Sequence, residues 1–434
     1  MELMNQPFTG QLGNRLIALL ESPLYHTLNI AVAFAKNSGV LRIKGSFDKF
    51  RARGGIVNAY VGVDLGGTSY EALTALLRCT NSLKVVHAEN GQTFHTKIYQ
   101  FLGSANNLIV VGSHNLTGGG LWTNIESSVL LGADASGASG SRILEQMDEY
   151  LSELTSLKGS IMSMVSQEDV DKLLHHGYVR KEVLDQVRRA NAAAQSGKHP
   201  RLFGNGAPAT LPRLAASPMT AKPALTPAAA PAAPAAPAAP AAPAAPAAPA
   251  APAAPAAPAN TSQSGDEQTI WFETRRMTGG SRNILDLSMK SLVERGDPTG
   301  TFFDTGDPQF MRGGVEFFGL NPSATHQTKD ITLNFEGVDY AGNTILFPDG
   351  ARANGTWRLQ IKGVDSTGMR ITDAFRAKGP GDYLVKKVIT FTKVADDYYF
   401  LSVFPQSELA SFEASSYILA RNGSSRSAKR LGLL

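Results

Sequence analysis

The residues best suited to chemistry lie between Phe94 and Leu131, in FHTKIYQFLGSANNLIVVGSHNLTGGGLWTNIESSVLL. His95 and Lys97 stand two apart in a run that reads as a strand over Thr93–Phe101. Side chains alternate along a strand, so both point to one face while Thr96 and Ile98 point to the other. Ser113 and Asn115 repeat the spacing at the end of the next run, LIVVGSHN. Two neighbouring strands of this kind bring an imidazole, an ammonium, a hydroxyl and an amide toward one point. That set suits a phosphodiester: the histidine attacks phosphorus or protonates the leaving group, while lysine and asparagine hold the non-bridging oxygens. Amides of Gly118-Gly119-Gly120 are candidate further donors. Glu126, on the strand after that loop, is placed to accept from a histidine Nδ1 and fix its tautomer. Each feature alone is ordinary, since a single histidine is usually structural and a glycine triplet usually marks a loop. Their order and spacing together carry the reading.

The other histidines read as structural. His114 faces opposite Ser113 and Asn115, and His175-His176 on a helix cannot face one ligand. His26, His87, His199 and His326 show no partner pattern. Cys79 is the sole cysteine, which excludes an intramolecular disulfide and any multi-cysteine zinc or iron–sulfur site. The turn Gly66-Gly67-Thr68 lacks the lysine and spacing of a nucleotide-binding loop. No metal and no cofactor are expected.

Helices and strands alternate around these residues. Leu12, Ile17, Leu19 and Leu20 predict a helix over Gly10–Leu20, and Leu28–Phe34 reads as a buried strand. Phe47–Arg53 reads as a helix end, Ile56–Val63 as a strand and Ser69–Leu77 as a helix. Leu83–His87, Leu108–Ser113 and Asn124–Leu130 read as further strands. One helical pattern covers Arg142–Leu157, and another follows the Ser166-x-x-Asp169 cap signal to about Ala192. The sum is a mixed α/β sheet with helices.

The 434-residue chain is 43% hydrophobic and 18% charged, with room for two or three domains. From Lys198 to Gly265 no acidic residue occurs, and a proline recurs at every third position from Pro231 to Pro258. Proline at that period forbids helix and keeps the residue before it extended. About thirty such residues make a polyproline-like spacer reaching on the order of 90 Å. The expected division is 1–193, a connecting segment 194–265, and 266–434. Net charge is +4, yet residues 1–193 carry 17 basic and 17 acidic side chains and residues 266–434 carry 20 of each. A nucleic-acid surface must therefore be a local patch. MELMNQPFTG has no basic region leading into an apolar run, so no secretory signal is read. No proline-free apolar window reaches membrane-spanning length, and the expected location is cytoplasmic.

Beyond the spacer, short runs at Ile331–Phe335, Thr344–Phe347, Thr356–Lys362, Tyr383–Phe391 and Asp397–Phe404 are separated by Gly-, Asp- and Asn-rich turns. They predict a mainly-β barrel or sandwich with one or two short helices. Arginine reads guanine bidentately and asparagine reads adenine. In TRRMTGGSRN, Arg275, Arg276, Thr278, Ser281, Arg282 and Asn283 are thus candidate DNA contacts. Arg352, Asn354, Trp357 and Arg358, in PDGARANGTWR, form a second group. The tail Arg421–Arg430, with four basic residues and no acid, is a third.

His95-x-Lys97 followed by Gly112-Ser113-x-Asn115 resembles the signature of the phospholipase D superfamily. The superfamily's aspartate after the lysine falls near Leu102 and is missing. One copy of the motif is present, where two-domain phospholipases carry two. Both departures fit the BfiI-type restriction endonucleases, whose NxTGxGxxxNIExSxLL run is similar to Asn115–Leu131. The Gly66-Gly67-Thr68 turn after VGVDL resembles that branch as well, and the likeness covers roughly residues 10–135. It implies a phospholipase D-like nuclease domain in which Glu126 takes the partner role. It also implies a second domain similar to the plant-type B-three pseudobarrel, gripping the major groove with two loop arms, here TRRMTGGSRN and PDGARANGTW. The implied activity is metal-independent, site-specific hydrolysis of double-stranded DNA through a phosphohistidine, offset from the recognition site. The implied assembly is a homodimer sharing one active site, with a companion methyltransferase or ATPase left open as a partner. Two rivals stand beside this. A lipid phosphodiesterase needs an acyl slot and a membrane-contacting surface, and neither is legible. A DNA-binding regulator with a nuclease-like dimerisation scaffold has no use for intact His95, Lys97 and Asn115.

Overall fold

Two sheets organise the chain in the computed structural model, which describes residues 1–89, 91–134, 138–195, 268–275, 282–348, 355–379 and 383–434. The first half runs β1 (Glu2–Gln6), α1 (Leu12–Glu21), β2 (Thr27–Val32), α2 (Asn37–Ala52), β3 (Ile56–Gly62), α3 (Tyr70–Cys79) and β4 (Ser82–Val86). It continues with β5 (Lys97–Leu102), β6 (Asn106–Gly112), β7 (Glu126–Asp134), α4 (Ala138–Ser156), β8 (Ile161–Met164), α5 (Gln167–His175) and α6 (Glu182–Gln195). The sheet order is β1-β7-β6-β5-β2-β3-β4-β8. β2, β3 and β4 are mutually parallel, because α2 and α3 return the chain across the sheet between them. All other neighbours are antiparallel.

Alternation along β2 (TLNIAV) sends its residues into two different layers. Leu28, Ile30 and Val32 join the core built with α1, α2 and α3. Ala31 faces the opposite layer, where Met147, Leu151 and Leu154 of α4 cover it with Tyr60 and Ile109. On that second face Asn29 donates to Gln100 Oε1 of β5 at 2.8 Å, so the polar residue of the strand is satisfied by its neighbour. The mixed α/β expectation therefore describes this half, with two additions. β1 and β8 form the sheet edges and were not legible as strands. The helical pattern after Ser166 is two helices; the capping box at Ser166 and Asp169 starts α5, and Gly177 at φ +80 follows its end.

The second half contains β9 (Thr269–Glu273), β10 (Ile284–Leu287), β11 (Lys290–Arg295), β12 (Phe310–Arg312), β13 (Thr328–Phe335), β14 (Val338–Leu346) and β15 (Trp357–Gln360). It continues through α7 (Ile371–Ala377), β16 (Lys387–Ala395), β17 (Tyr398–Pro405), α8 (Leu409–Ser415), β18 (Ile418–Arg421) and β19 (Arg430–Leu433). Its order is β10-β15-β14-β13-β17-β16-β9-β19-β18-β11-β12. β13 and β17 run parallel. Among the described residues no pairing of β10 with β12 closes the sheet. Phe318 sits edge-on to Phe391 and Tyr399 at 5.3 and 5.1 Å in its core.

The halves share a boundary. Trp271, Phe404 and Phe412 of the second half belong to the same buried cluster as α1, α2 and α3, and α6 packs on α8. Lys44 Nζ meets Asp339 Oδ2 at 2.9 Å, and Arg78 Nε donates to the Glu336 carbonyl at 2.9 Å. Burial alone would lower the Lys44 ammonium, but Asp339 and Asp48 outweigh it and hold the group above its ordinary range. A fully buried aromatic contributes on the order of 2–3 kcal/mol and a partly exposed ion pair about 1 kcal/mol or less. The apolar contacts are therefore the stronger tie.

Candidate active site

His95 precedes β5 rather than lying inside it, since the strand begins only at Lys97. Its position is set by the backbone on either side: Phe94 N–H donates to Asp64 Oδ2 at 2.9 Å, and Ala33 N–H donates to the Thr96 carbonyl at 2.7 Å. Lys97 is buried and its side chain turns back onto His95. Nζ lies 2.9 and 3.0 Å from the two ring nitrogens and donates to the His95 carbonyl at 2.9 Å. An ammonium can only donate, so it takes a lone pair of the imidazole. Burial lowers the Lys97 ammonium, and the nearby Glu126 charge opposes that.

Asn115 follows the end of β6. Its Oδ1 accepts from Phe34 N–H at 3.2 Å, which fixes the amide and leaves the NH2 as its remaining donor. The Phe34 ring stands edge-on to His95 with centroids 5.9 Å apart. Gly67 allows that ring its place: a Cβ there would fall 2.0 Å from Phe34 Cδ1. Thr68 Oγ1 accepts from Ala35 N–H at 3.0 Å and donates to the Gly62 carbonyl at 2.6 Å. The Gly66-Gly67-Thr68 turn thus forms the wall behind His95.

Ser113 Oγ donates to Glu126 Oε2 and accepts from Ser127 N–H at 3.0 Å. Glu126 Oε1 accepts from Asn124 Nδ2 at 3.2 Å. The expected bond from a histidine Nδ1 to Glu126 is absent among these partners; the carboxylate is engaged by Ser113 and Asn124. The glycine triplet also differs from expectation. Gly118 N–H donates to Ser38 Oγ at 3.2 Å and Gly120 N–H to Thr117 Oγ1 at 2.9 Å, so these two amides serve the fold and not a phosphate. Their lack of side chains has a packing reason: a Cβ on Gly120 would lie 2.5 Å from the Asn115 carbonyl oxygen. Gly119–Thr123 forms one π-helical turn, a form concentrated at functional sites. Gln6 of β1 supports it, donating to the Gly120 and Asn124 carbonyls at 3.2 and 3.0 Å.

No family model and no curated protein matches the chain. Among solved structures it is similar to NucT from Helicobacter pylori, at 18% identity and TM-score 0.26 over 38% of this chain and 98% of that one. It is also similar to Nuc, a phospholipase D family member from Salmonella typhimurium, at 15% identity and TM-score 0.28 over 38% of this chain and 97% of that one. A third is phosphatidylserine synthase from Haemophilus influenzae, at 14% identity and TM-score 0.28 over 43% and 44% of the two chains. Likenesses at these TM-scores decide nothing about activity, which is read from this chain's own side chains.

Sequence reasoning missed one pair. His87 Nδ1 lies 2.6 Å from Asp64 Oδ1, and the other oxygen of Asp64 holds Phe94 as described. His87 Nε2 also lies 3.6 Å from Glu89, and its ring stands edge-on to Tyr178 at 5.2 Å. The signal was Asp64 itself, an acid directly after the apolar run of β3. His114 points away from the site, with Nδ1 2.6 Å from Ser128 Oγ, and burial lowers it to about 4. Among the described residues no group of three or more His, Cys, Asp or Glu is arranged to hold a metal ion. No described helix is long and apolar enough to cross a membrane.

The candidate DNA contacts of the second half divide. Arg276, Thr278, Ser281, Arg352 and Asn354 lie outside the described residues. Trp357 is a correction: it is fully buried, with Nε1 donating to the Pro322 carbonyl at 3.0 Å, so it anchors the core. Arg275 is exposed but paired to Glu273 at 3.0 Å. Arg282 is exposed, and Asn283 and Arg358 are half-buried. In the tail, Arg421 and Arg430 pair with Glu294 at 2.7 and 3.3 Å, which answers the apparent lack of acid in that stretch.

Proposed function

We propose that the chain is a metal-independent, site-specific DNA endonuclease whose residues 1–193 cut and whose residues 266–434 select the sequence. The observation that carries this is the contact of Lys97 with the His95 ring, beside an Asn115 amide whose NH2 is left to a ligand. An incoming phosphate oxygen competes for the Lys97 ammonium and frees the ring nitrogen for attack. That nitrogen forms a P–N bond to phosphorus as the P–O bond to the leaving strand breaks. The leaving oxygen takes a proton from His95 of the partner subunit. Water then attacks phosphorus, giving its proton to that second histidine, and the P–N bond breaks. Splitting hydrolysis into two displacements replaces metal activation of water. Lys97 and Asn115 hold the charge of the pentacoordinate state. Ser113, whose proton is committed to Glu126, serves to hold that carboxylate near Lys97.

The mechanism needs two histidines and the chain supplies one motif, so two-fold pairing of chains is the simplest supply. Mixing wild type with an equal amount of His95→Ala tests it. After random exchange, a shared site leaves roughly a quarter of the wild-type activity and independent sites leave roughly half. Half activity refutes the shared site, and no activity of the wild type on DNA refutes the nuclease itself.

A further inference from the structure

We propose that the cations gathered around Asp185 form a track for the DNA sugar–phosphate backbone, running from the active-site wall to the second half; this rests on the nuclease reading above. Asp185 is buried and sits in the first turn of α6. Arg188 and Arg189, three and four residues on, bring Nη2 to its two oxygens at 2.7 and 3.1 Å, the spacing at which helix side chains meet. Lys36 Nζ and Arg180 Nη1 approach the same carboxylate at 3.8 and 4.0 Å. Four cations on one carboxylate leave a formal surplus of three positive charges. The three arginine side chains are 51%, 54% and 66% exposed. The neighbouring acids are engaged by the fold. Glu182 is buried and accepts from Asn37 N–H and Ser69 Oγ, while Glu71 accepts from Glu182 N–H.

The place of this cluster gives it meaning. Lys36 Nζ donates to the Gly66 carbonyl at 3.3 Å, and Arg180 Nη1 lies 3.8 Å from where a Gly66 Cβ would stand. Gly66 belongs to the turn that carries the Phe34 ring against His95. Toward the other side, Thr269 of β9 donates to Gln186 of α6 at 3.2 Å, and Lys181 Nζ stands over the Phe404 ring at 5.4 Å. Guanidinium forks suit phosphate oxygens, and Asp185 pre-orders two of them without cancelling the surplus. Such contacts set position and register and carry no base information. They meet the requirement that two halves each balanced in charge bind nucleic acid through a local patch.

The test uses the full chain. In the triple variant Arg180→Gln/Arg188→Gln/Arg189→Gln, binding to a random-sequence duplex is measured against salt concentration. Each phosphate contact removed lowers the log–log salt slope by about 0.9, so the expected loss is roughly 2–3, with cleavage of plasmid at low salt falling at least about tenfold and the cut positions unchanged. Asp185→Asn removes the one carboxylate and has the opposite sign: tighter binding and a steeper slope. It also keeps the test decisive if the triple variant does not fold. Unchanged slopes in either folded variant overturn the proposal while leaving the nuclease standing if wild type cuts. Vesicles of anionic phospholipid bound by wild type and released by the triple variant, with the DNA slope intact, would assign the patch to a membrane and overturn it too. Wild type that neither binds nor cuts DNA removes both readings.

Discussion

Replacing Gly67 by alanine should cripple cleavage while the chain still folds. The backbone at Gly67 has φ −73 and ψ −23, which alanine adopts without strain, so the effect is steric. The new methyl would sit 2.0, 2.3 and 2.5 Å from Phe34 Cδ1, Cγ and Cε1. Ordinary contact begins at 3.4 Å, so the ring must withdraw by about 1.4 Å. These are inner ring atoms, not the end of a flexible chain, and Phe34 has two connections to the site. Its ring abuts His95, and its N–H fixes the Asn115 amide. A misplacement of about 1 Å at a reacting centre costs on the order of 10²-fold in rate, while overpacking costs roughly 1–3 kcal/mol of stability. Gly132→Ala, where a Cβ meets nothing within 4 Å, is the control. The measurements are plasmid cleavage, duplex binding and thermal melting on both variants. If Gly67→Ala cuts at the wild-type rate, or loses rate only in proportion to the unfolded fraction, the wall of the site has been misread.

Three other outcomes follow from the structure. Asp64→Ala releases Phe94 N–H and His87 together and should lower kcat by about tenfold with DNA affinity unchanged, whereas Asp64→Asn keeps an acceptor for Phe94 and recovers most of the rate; equal rates for the two variants refute a positioning role. Burial first, then the Glu182 charge, push the Glu71 carboxyl up to about 7; the fold therefore retains a proton that the unfolded chain gives up near 4.5. Stability from this group is present below that value and lost as pH rises to about 7, at up to about 1.4 kcal/mol per pH unit. Glu71→Gln should flatten that decline in melts across the window, and an unchanged decline counts against it. Cleavage should persist in EDTA; complete loss restored by Mg²⁺ would sink the metal-independent chemistry.

Lys97 and His95 were legible because a two-residue spacing survives whether or not both lie on a strand, the lysine side chain being long enough to reach back. The pair of Asp64 and His87 was not legible. It joins the ends of two parallel strands and depends on their order, which no local pattern carries. The partners of Glu126 were equally hidden, since Ser113 and Asn124 compete with any histidine for the same two oxygens. In the second half, the alternating runs marked β13 to β17 as strands. β10 and β12 lie at the two edges of the sheet, with β11 next to β12; all three are short and mix charged with apolar residues, so periodicity was weak. Trp357 shows the limit of composition. An aromatic after a polar loop reads equally as a stacking surface or as core, and only the sheet behind it decides.

β9 is the first described strand of the second half, and it does not sit at an edge. β16 lies on one side of it and β19 on the other, both antiparallel. Ladder hydrogen bonds run perpendicular to the strands, so tension arriving along the chain at Thr269 loads both ladders at once in shear. An edge strand such as β1, paired among the described residues to β7 alone, would load one ladder instead of two. If the two halves were held at separate points on one DNA and drawn apart, the anchorage at β9 would resist as a unit. The apolar contacts between α6 and α8 would part before that strand tore from its sheet.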